Sequence, residues 1–284
     1  GLVDDFKINI RPKFRLLVMI VFLITLVLYN DFYIEKSGFK FLNDLLEIDI
    51  FSLFFICLCF LFVINGSNLI DGFNGLLGIH ALIIFIILFI INLITENDGL
   101  MYILFYSILL TLIFIKFNFP KAQIFLGDGG AYLLGFVIAM ASVLLVARHS
   151  EVSWFLPLLL IIYPVTETLF SIYRKTFLRG SGAMKPDRLH FHMLVHKRLN
   201  RLWWNSHRHG VLRNSLTSTF FWPVTLAMVL PGLVFWDRPV VLICLAIGFA
   251  VAYVWFYSRL VRFRVPLWMV LVDGRRSSQV EMEF

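Results

Sequence analysis

Cysteine is scarce in this chain, with three residues among 284. Cys57 and Cys59 sit in one apolar run and Cys244 in another, so they read as small hydrophobes, and neither a disulfide framework nor a zinc site follows. Also missing are a nucleic-acid recognition fold and an aromatic stacking platform. The formal charge of +7 comes from basic residues that flank apolar runs, where roles at a membrane edge and with lipid headgroups fit better than nucleic acid. Apolar surface, by contrast, is abundant: 60% of residues are hydrophobic, 17% are aromatic, and the mean hydropathy is +0.86. A soluble domain of this length cannot hide so much apolar surface, so the solvent for most of the chain is lipid.

Apolar segments able to cross about 30 Å of hydrocarbon run over 14–34, 48–64, 76–94, 100–117, 132–147, 154–173, 216–236 and 239–257. The sequence therefore predicts an all-α, polytopic transmembrane helical bundle of about eight spans, forming one integral-membrane domain over 1–284. With the N-terminal segment in the cytoplasm, all but four of the 25 Lys and Arg (Lys36, Lys40, Arg148 and Arg238) fall on the cytoplasmic side, as the positive-inside rule requires. That side then holds 1–15, 65–75, 116–131, the long basic loop 174–215, and 258–284.

Four polar clusters share this face. Adjacent carboxylates at Asp4 and Asp5 repel one another, which raises one pKa and makes that group a candidate base; the plainer reading is a solvated loop. Lys7, Arg11, Lys13 and Arg15 follow, either as membrane anchors or as a dock for an anionic headgroup. Asn65, Asn68 and Asp71 are three residues apart and share a helical face if the preceding span continues inward. They read either as end caps or as oxygen ligands for a hard cation, with Asn74 close behind. Asp128, set among Gly127, Gly129 and Gly130, is either an N-cap or a Mg²⁺ ligand, because Mg²⁺ takes one or two protein oxygens and leaves its other positions to water and phosphate. Phe125, three residues earlier, offers a flat face to a base. In the basic loop, Arg188, His190 and His192 suit diphosphate or sugar oxygens. Two His at i, i+2 do not share a helix face, so a helical zinc pair is excluded. His196, His207 and His209 read as ordinary headgroup-region residues. Glu167, three residues after Pro164, is the one charge deep in an apolar run, and is either a functional group or a tie between helices.

Together, Asp4-Asp5, the 65–75 run, Phe125-Leu-Gly-Asp128 and the Pro186 to His192 run resemble, in order and in sidedness, the polyprenyl-phosphate N-acetylhexosamine-1-phosphate transferases, a family of bacterial envelope-glycan enzymes. The likeness covers almost the whole chain. It implies Asp128 as principal Mg²⁺ ligand with Asn68 assisting, Mn²⁺ being an acceptable substitute, and Phe125 and Asn74 at the uracil ring. It also implies Asp4 and Asp5 at the lipid phosphate, Lys13 at the diphosphate, Asp71 as an acidic position needed for activity, and His190 and His192 facing the sugar diphosphate. The resemblance brings an expected setting: the bacterial cytoplasmic membrane, with the site on its inner face, and room for a homodimer.

The departures are informative. Met193 stands where many members have a third His, which moves the loop away from the peptidoglycan translocase; Glu167 stands where Asp is common. Members usually have ten or eleven spans and this chain opens with Gly1, so about three N-terminal helices are expected to precede it. The implied reaction is attack by a polyprenyl phosphate oxygen on the sugar-bound phosphorus of a UDP-N-acetylhexosamine, releasing UMP. Its rivals are transfer of phospho-N-acetylmuramoyl-pentapeptide and, from another class, a transporter. A transporter would line a path near the bilayer midplane, where Glu167 is the only deep charge.

Overall fold

The computed structural model describes residues 12–30, 39–95, 98–178, 189–203 and 210–262. Every regular element among them is helical: α1 (Pro12–Asn30), α2 (Lys40–Leu46), α3 (Asp49–Ile70), α4 (Leu76–Ile94), α5 (Asp98–Asn118), α6 (Gly127–Arg148), α7 (Phe155–Leu160), α8 (Ile162–Tyr173), a π-helical turn (Arg174–Leu178), α9 (Phe191–Trp203), α10 (Gly210–Val234) and α11 (Pro239–Val261). Seven of these are long and apolar enough to cross a membrane. In lipid each backbone amide must find a partner within its own segment, which is why the apolar runs become helices.

The eighth expected crossing, 154–173, is built from two pieces. It breaks at Ile161 between α7 and α8, where φ is −105° and ψ 14°. Pro164 then lies in the first turn of α8, where its missing N–H is harmless, but it leaves the Leu160 carbonyl without the amide that a continuous helix would offer.

Two helices form the centre. One of them, α3, packs against α1, α6 and α8; the other, α4, packs against α5, α6 and α10. Small residues allow the close approach: a Cβ on Gly135 of α6 would sit 2.8 Å from Ser67 Oγ and 2.9 Å from Ile64 Cα of α3. The core follows this seam through Ile56, Phe60, Ile84, Leu88, Ile138 and Leu145. Outward faces are the reverse of a soluble protein: Leu17, Val21 and Phe22 on α1, Tyr102, Tyr106 and Leu110 on α5, and Val240, Ile247 and Val251 on α11 are all exposed, as side chains facing lipid should be. The basic loop expected over 174–215 contains α9, which lies against α10 and α11.

Candidate active site

The polar ends of four helices meet at one rim. Asn68 and Asp71 come from the end of α3, Asp128 from the first turn of α6, Arg15 from the first turns of α1, and His190 and His192 from the start of α9. Asp128 is the focus. Its Oδ2 accepts from Arg15 Nη1 at 2.7 Å and its Oδ1 from Asn68 Nδ2 at 2.9 Å, yet 39% of the side chain stays exposed. A carboxylate here also faces the positive end of the α6 dipole. Asp71, the residue that ends α3, is close enough to feel it: burial first, and the Asp128 charge second, raise the Asp71 carboxyl to about 7. Two carboxylates that disfavour one another, the half-exposed Asp128 held by the Asn68 amide and the more buried Asp71 beside it, form a hard-oxygen donor set suited to Mg²⁺. Among the described residues no cluster of three or more His, Cys, Asp or Glu forms a metal cage, so a cation here would depend on water and phosphate for its remaining ligands.

The loops beneath this rim are tied by Asn118, at the end of α5. Its Oδ1 accepts from Gly75 N at 2.6 Å, and its Nδ2 donates to the Ile124 carbonyl at 2.8 Å, so one side chain fixes both the 71–76 and 119–126 loops. Gly75 must be glycine: its φ is +74°, and a Cβ would meet the Phe119 ring at 2.9 Å. α10 closes the loops from behind, with Ser215 Oγ donating to the Pro120 carbonyl at 2.7 Å and Trp222 Nε1 to the Gly75 carbonyl at 3.3 Å.

The histidines lie in a buried compartment beside the same rim, His190 keeping 6% of its surface exposed. His190 Nδ1 is 3.0 Å from Glu167 Oε1, and the Glu167 carboxylate also accepts from Tyr253 OH at 2.8 Å and from the Phe191 backbone N–H at 3.2 Å. Glu167 thus caps the N-terminus of α9 from 24 residues away. His192 lies against His190, with ring centroids 5.6 Å apart and planes within 10°. It is fully buried, its Nδ1 is 3.3 Å from Tyr163 OH, and its Nε2 has no hydrogen-bond partner among the described residues. Burial lowers its pKa to about 4 against the opposing pull of Glu167, so it is neutral at pH 7. Its Nε2 reaches the Asp71 turn, where a Cβ on Gly72 would come within 3.0 Å of it. Below, Arg174 donates to the Leu189 carbonyl at 2.5 Å and to Tyr257 OH, which fixes the approach to His190.

The sequence-predicted residues are thereby sorted. Asn68, Asp71 and Asp128 come together, and His190 and His192 join them through Gly72. Asn65 does not join the rim: one turn deeper, its Nδ2 is bonded to the Leu61 carbonyl of its own helix at 2.8 Å. Asn74 is buried with its amide 3.5 Å from Ser215 Oγ, whereas Phe125 is 74% exposed. Lys13 is exposed at the start of α1. Asp4, Asp5 and Arg188 lie outside the described residues. His196 has a structural partner, with Nδ1 2.7 Å from Thr217 Oγ1 and its ring 4.7 Å from that of Phe73. Residue spacing gave no sign of Asn118, Tyr163 or Tyr253. Arg15 looked like any other membrane anchor.

A multi-pass helical bundle with hard-oxygen and imidazole groups collected at one rim defines an integral-membrane protein with a polar site at the bilayer edge. The model of glycosyl transferase family 4 matches residues 1–146, and the chain belongs to that family. It is similar to a decaprenyl-phosphate N-acetylglucosaminephosphotransferase of Mycolicibacterium smegmatis, 28% identical over 214 residues, or 68% of this chain and 50% of that protein. It is also similar to a probable undecaprenyl-phosphate N-acetylglucosaminyl 1-phosphate transferase of Bacillus subtilis, 29% identical over 201 residues, or 68% of this chain and 53% of that protein. A phospho-N-acetylmuramoyl-pentapeptide-transferase of Dictyoglomus thermophilum is 30% identical over 246 residues, or 83% of this chain and 72% of that protein. The chain spans about half the length of the first two.

Proposed function

We propose that this protein transfers N-acetylhexosamine-1-phosphate, with UDP-N-acetylglucosamine as the leading donor, onto a polyprenyl phosphate and releases UMP. The single observation that carries the reading is the joining of Asn68, Asp71, Asp128 and Arg15 at the polar ends of helices long and apolar enough to cross a membrane. A lipid phosphate arrives there at headgroup depth and a nucleotide from solution, so the two reactants meet without either crossing the bilayer. Asp128 would hold Mg²⁺, with Asn68 fixing the carboxylate and Asp71 adding a second one. The cation supplies charge neutralisation for two approaching phosphates. Arg15 and Lys13 would attract and orient the anionic groups, and His190 would contact the sugar diphosphate. Catalysis in this scheme is positioning plus electrostatics, as expected for phosphoryl transfer.

The relatives named for N-acetylglucosamine phosphate transfer, and Met193 in place of a third His, support the N-acetylglucosamine donor. The longer alignment with the pentapeptide transferase favours N-acetylmuramoyl-pentapeptide as the second reading. The test is a donor panel: membranes holding the protein are given labelled UDP-sugars and polyprenyl phosphate, and product is scored in the organic phase. Transfer from UDP-N-acetylglucosamine supports the reading. Transfer from the muramoyl-pentapeptide donor alone would replace it with the second, and no transfer from any donor would defeat both.

The site would lie on the cytoplasmic face of the inner membrane, as the distribution of basic residues supports. In intact cells an impermeant thiol reagent should then label Arg148→Cys and spare Lys121→Cys; the reverse pattern would turn the site outward.

A further inference from the structure

The Glu167 side chain is 1% exposed, sits on a helix of the lipid-embedded bundle, and contacts none of the rim carboxylates, so the proposed chemistry gives it no task. Its partners indicate one. Three donors converge on it: Tyr253 OH from α11, the Phe191 N–H that opens α9, and His190 Nδ1. An ionised carboxylate only accepts, and here its two oxygens are used by three groups from two different segments, the start of α9 and α11. Opposite a carboxylate, Nδ1 of His190 must carry the proton, which leaves Nε2, across the ring, as the nitrogen available to anything approaching the site. The stacking of His190 on His192 fixes the ring plane.

We propose that Glu167, held by Tyr253, is a positioning residue: an intramembrane carboxylate that sets the tautomer and orientation of His190 and seats the first turn of α9 beside the Asp71 turn. The arrangement follows the pattern in which a carboxylate behind an imidazole fixes which nitrogen faces the reactant. The inference rests on the reading of His190 as a substrate-contacting group, and its tests are chosen to separate the two.

The first measurement uses membranes with ¹⁵N-histidine-labelled protein, the His190 signals being assigned by their loss in His190→Ala. The native protein should show one tautomer protonated at Nδ1. Glu167→Gln replaces one acceptor oxygen with an N–H₂ group facing three donors and should give a mixed or reversed tautomer. An unchanged signal in Glu167→Gln would overturn the proposal whether or not the protein is active.

The second measurement is a double-mutant cycle on transfer activity. His190→Ala and Glu167→Gln should each lower kcat/KM for the sugar nucleotide about tenfold or more, and the double variant should be no worse than His190→Ala alone, because Glu167 acts through that ring. Losses that multiply would show that Glu167 acts elsewhere, and would overturn the inference while leaving the function intact. Should Glu167→Gln fail to fold, Tyr253→Phe keeps the carboxylate and removes one donor. It should lower activity about threefold in the native background and not at all in His190→Ala; an equal loss in both backgrounds counts against the proposal. If His190→Ala has no effect on activity, the reading of His190 as a substrate contact fails, and the tautomer signal still decides the role of Glu167.

Discussion

The Asp128 rim and the Glu167 compartment use the same kinds of groups, carboxylates with cationic or imidazole partners, but solvent treats them oppositely. Asp128 keeps 39% of its side chain exposed while paired with Arg15; Glu167 keeps 1% and is satisfied by three donors from two segments. An exposed pair is held loosely, is screened, and exchanges partners easily. A buried carboxylate stripped of its donors is severely penalised, so those contacts persist. The difference separates two tasks: the rim can trade its internal ion pair for ligands, while the compartment keeps its geometry fixed as they come and go.

The contrast is broken most sharply at Asp128. Asp128→Asn keeps the shape and removes the charge, and should cut Mg²⁺-dependent exchange of labelled UMP into UDP-sugar by about a hundredfold or more. Exchange near the native rate with unchanged metal dependence would reduce Asp128 to a helix cap. Acid should next distinguish the buried side. His192 is held at about 4 against an ordinary 6.5, so between those values the unfolded chain binds more protons than the folded one. Its contribution to stability is full above pH 6.5 and is lost as pH falls through 4. Thermal midpoints in detergent should therefore fall across that window in the native protein and fall less in His192→Gln; parallel curves would remove His192 from the account.

Arg15→Gln probes the rim's ability to exchange partners. With the guanidinium gone, Asp128 has one fewer competitor for a cation, and the Mg²⁺ concentration giving half-maximal exchange should fall severalfold, even if the maximal rate also drops. A higher Mg²⁺ requirement would mean that Arg15 supports the metal instead of competing with it. The smallest effect is expected where the two regions touch. Gly72→Ala needs His192 to give by a few tenths of an ångström and should lower activity about twofold to fivefold, at a cost on the scale of mild overpacking. In a His192→Ala background the same change should be nearly silent; equal losses in both would deny the contact.

The bundle was legible because lipid imposes a length and a polarity on every span, and interruptions in those runs stand out. Asn68, Asp71 and Asp128 were legible for the same reason, as polar residues at the ends of apolar helices. What the sequence concealed is long-range. The Arg15 to Asp128 pair spans 113 positions, and an arginine beside a membrane has an ordinary explanation already. Glu167 announced itself as a buried charge, but its partners at 190 and 253 could not be read from its surroundings. The rule that i, i+2 residues point apart concealed the His190–His192 stack, because His190 precedes α9 and only His192 is on the helix. The break at Ile161 came three residues before Pro164, a residue whose chemistry marks an interruption.

Asn118 has a mechanical consequence. Because its one amide grips the backbone of both the 71–76 and 119–126 loops, neither can swing out while the other stays in place. The two loops form a single jaw whose pivot is the end of α5, with Asp71 on one side and Phe125 on the other. Any motion that widens the mouth between them must either carry both together or first break two hydrogen bonds to one side chain. The opening of this mouth is thus governed by a side chain at the end of α5, outside both of the loops that line it.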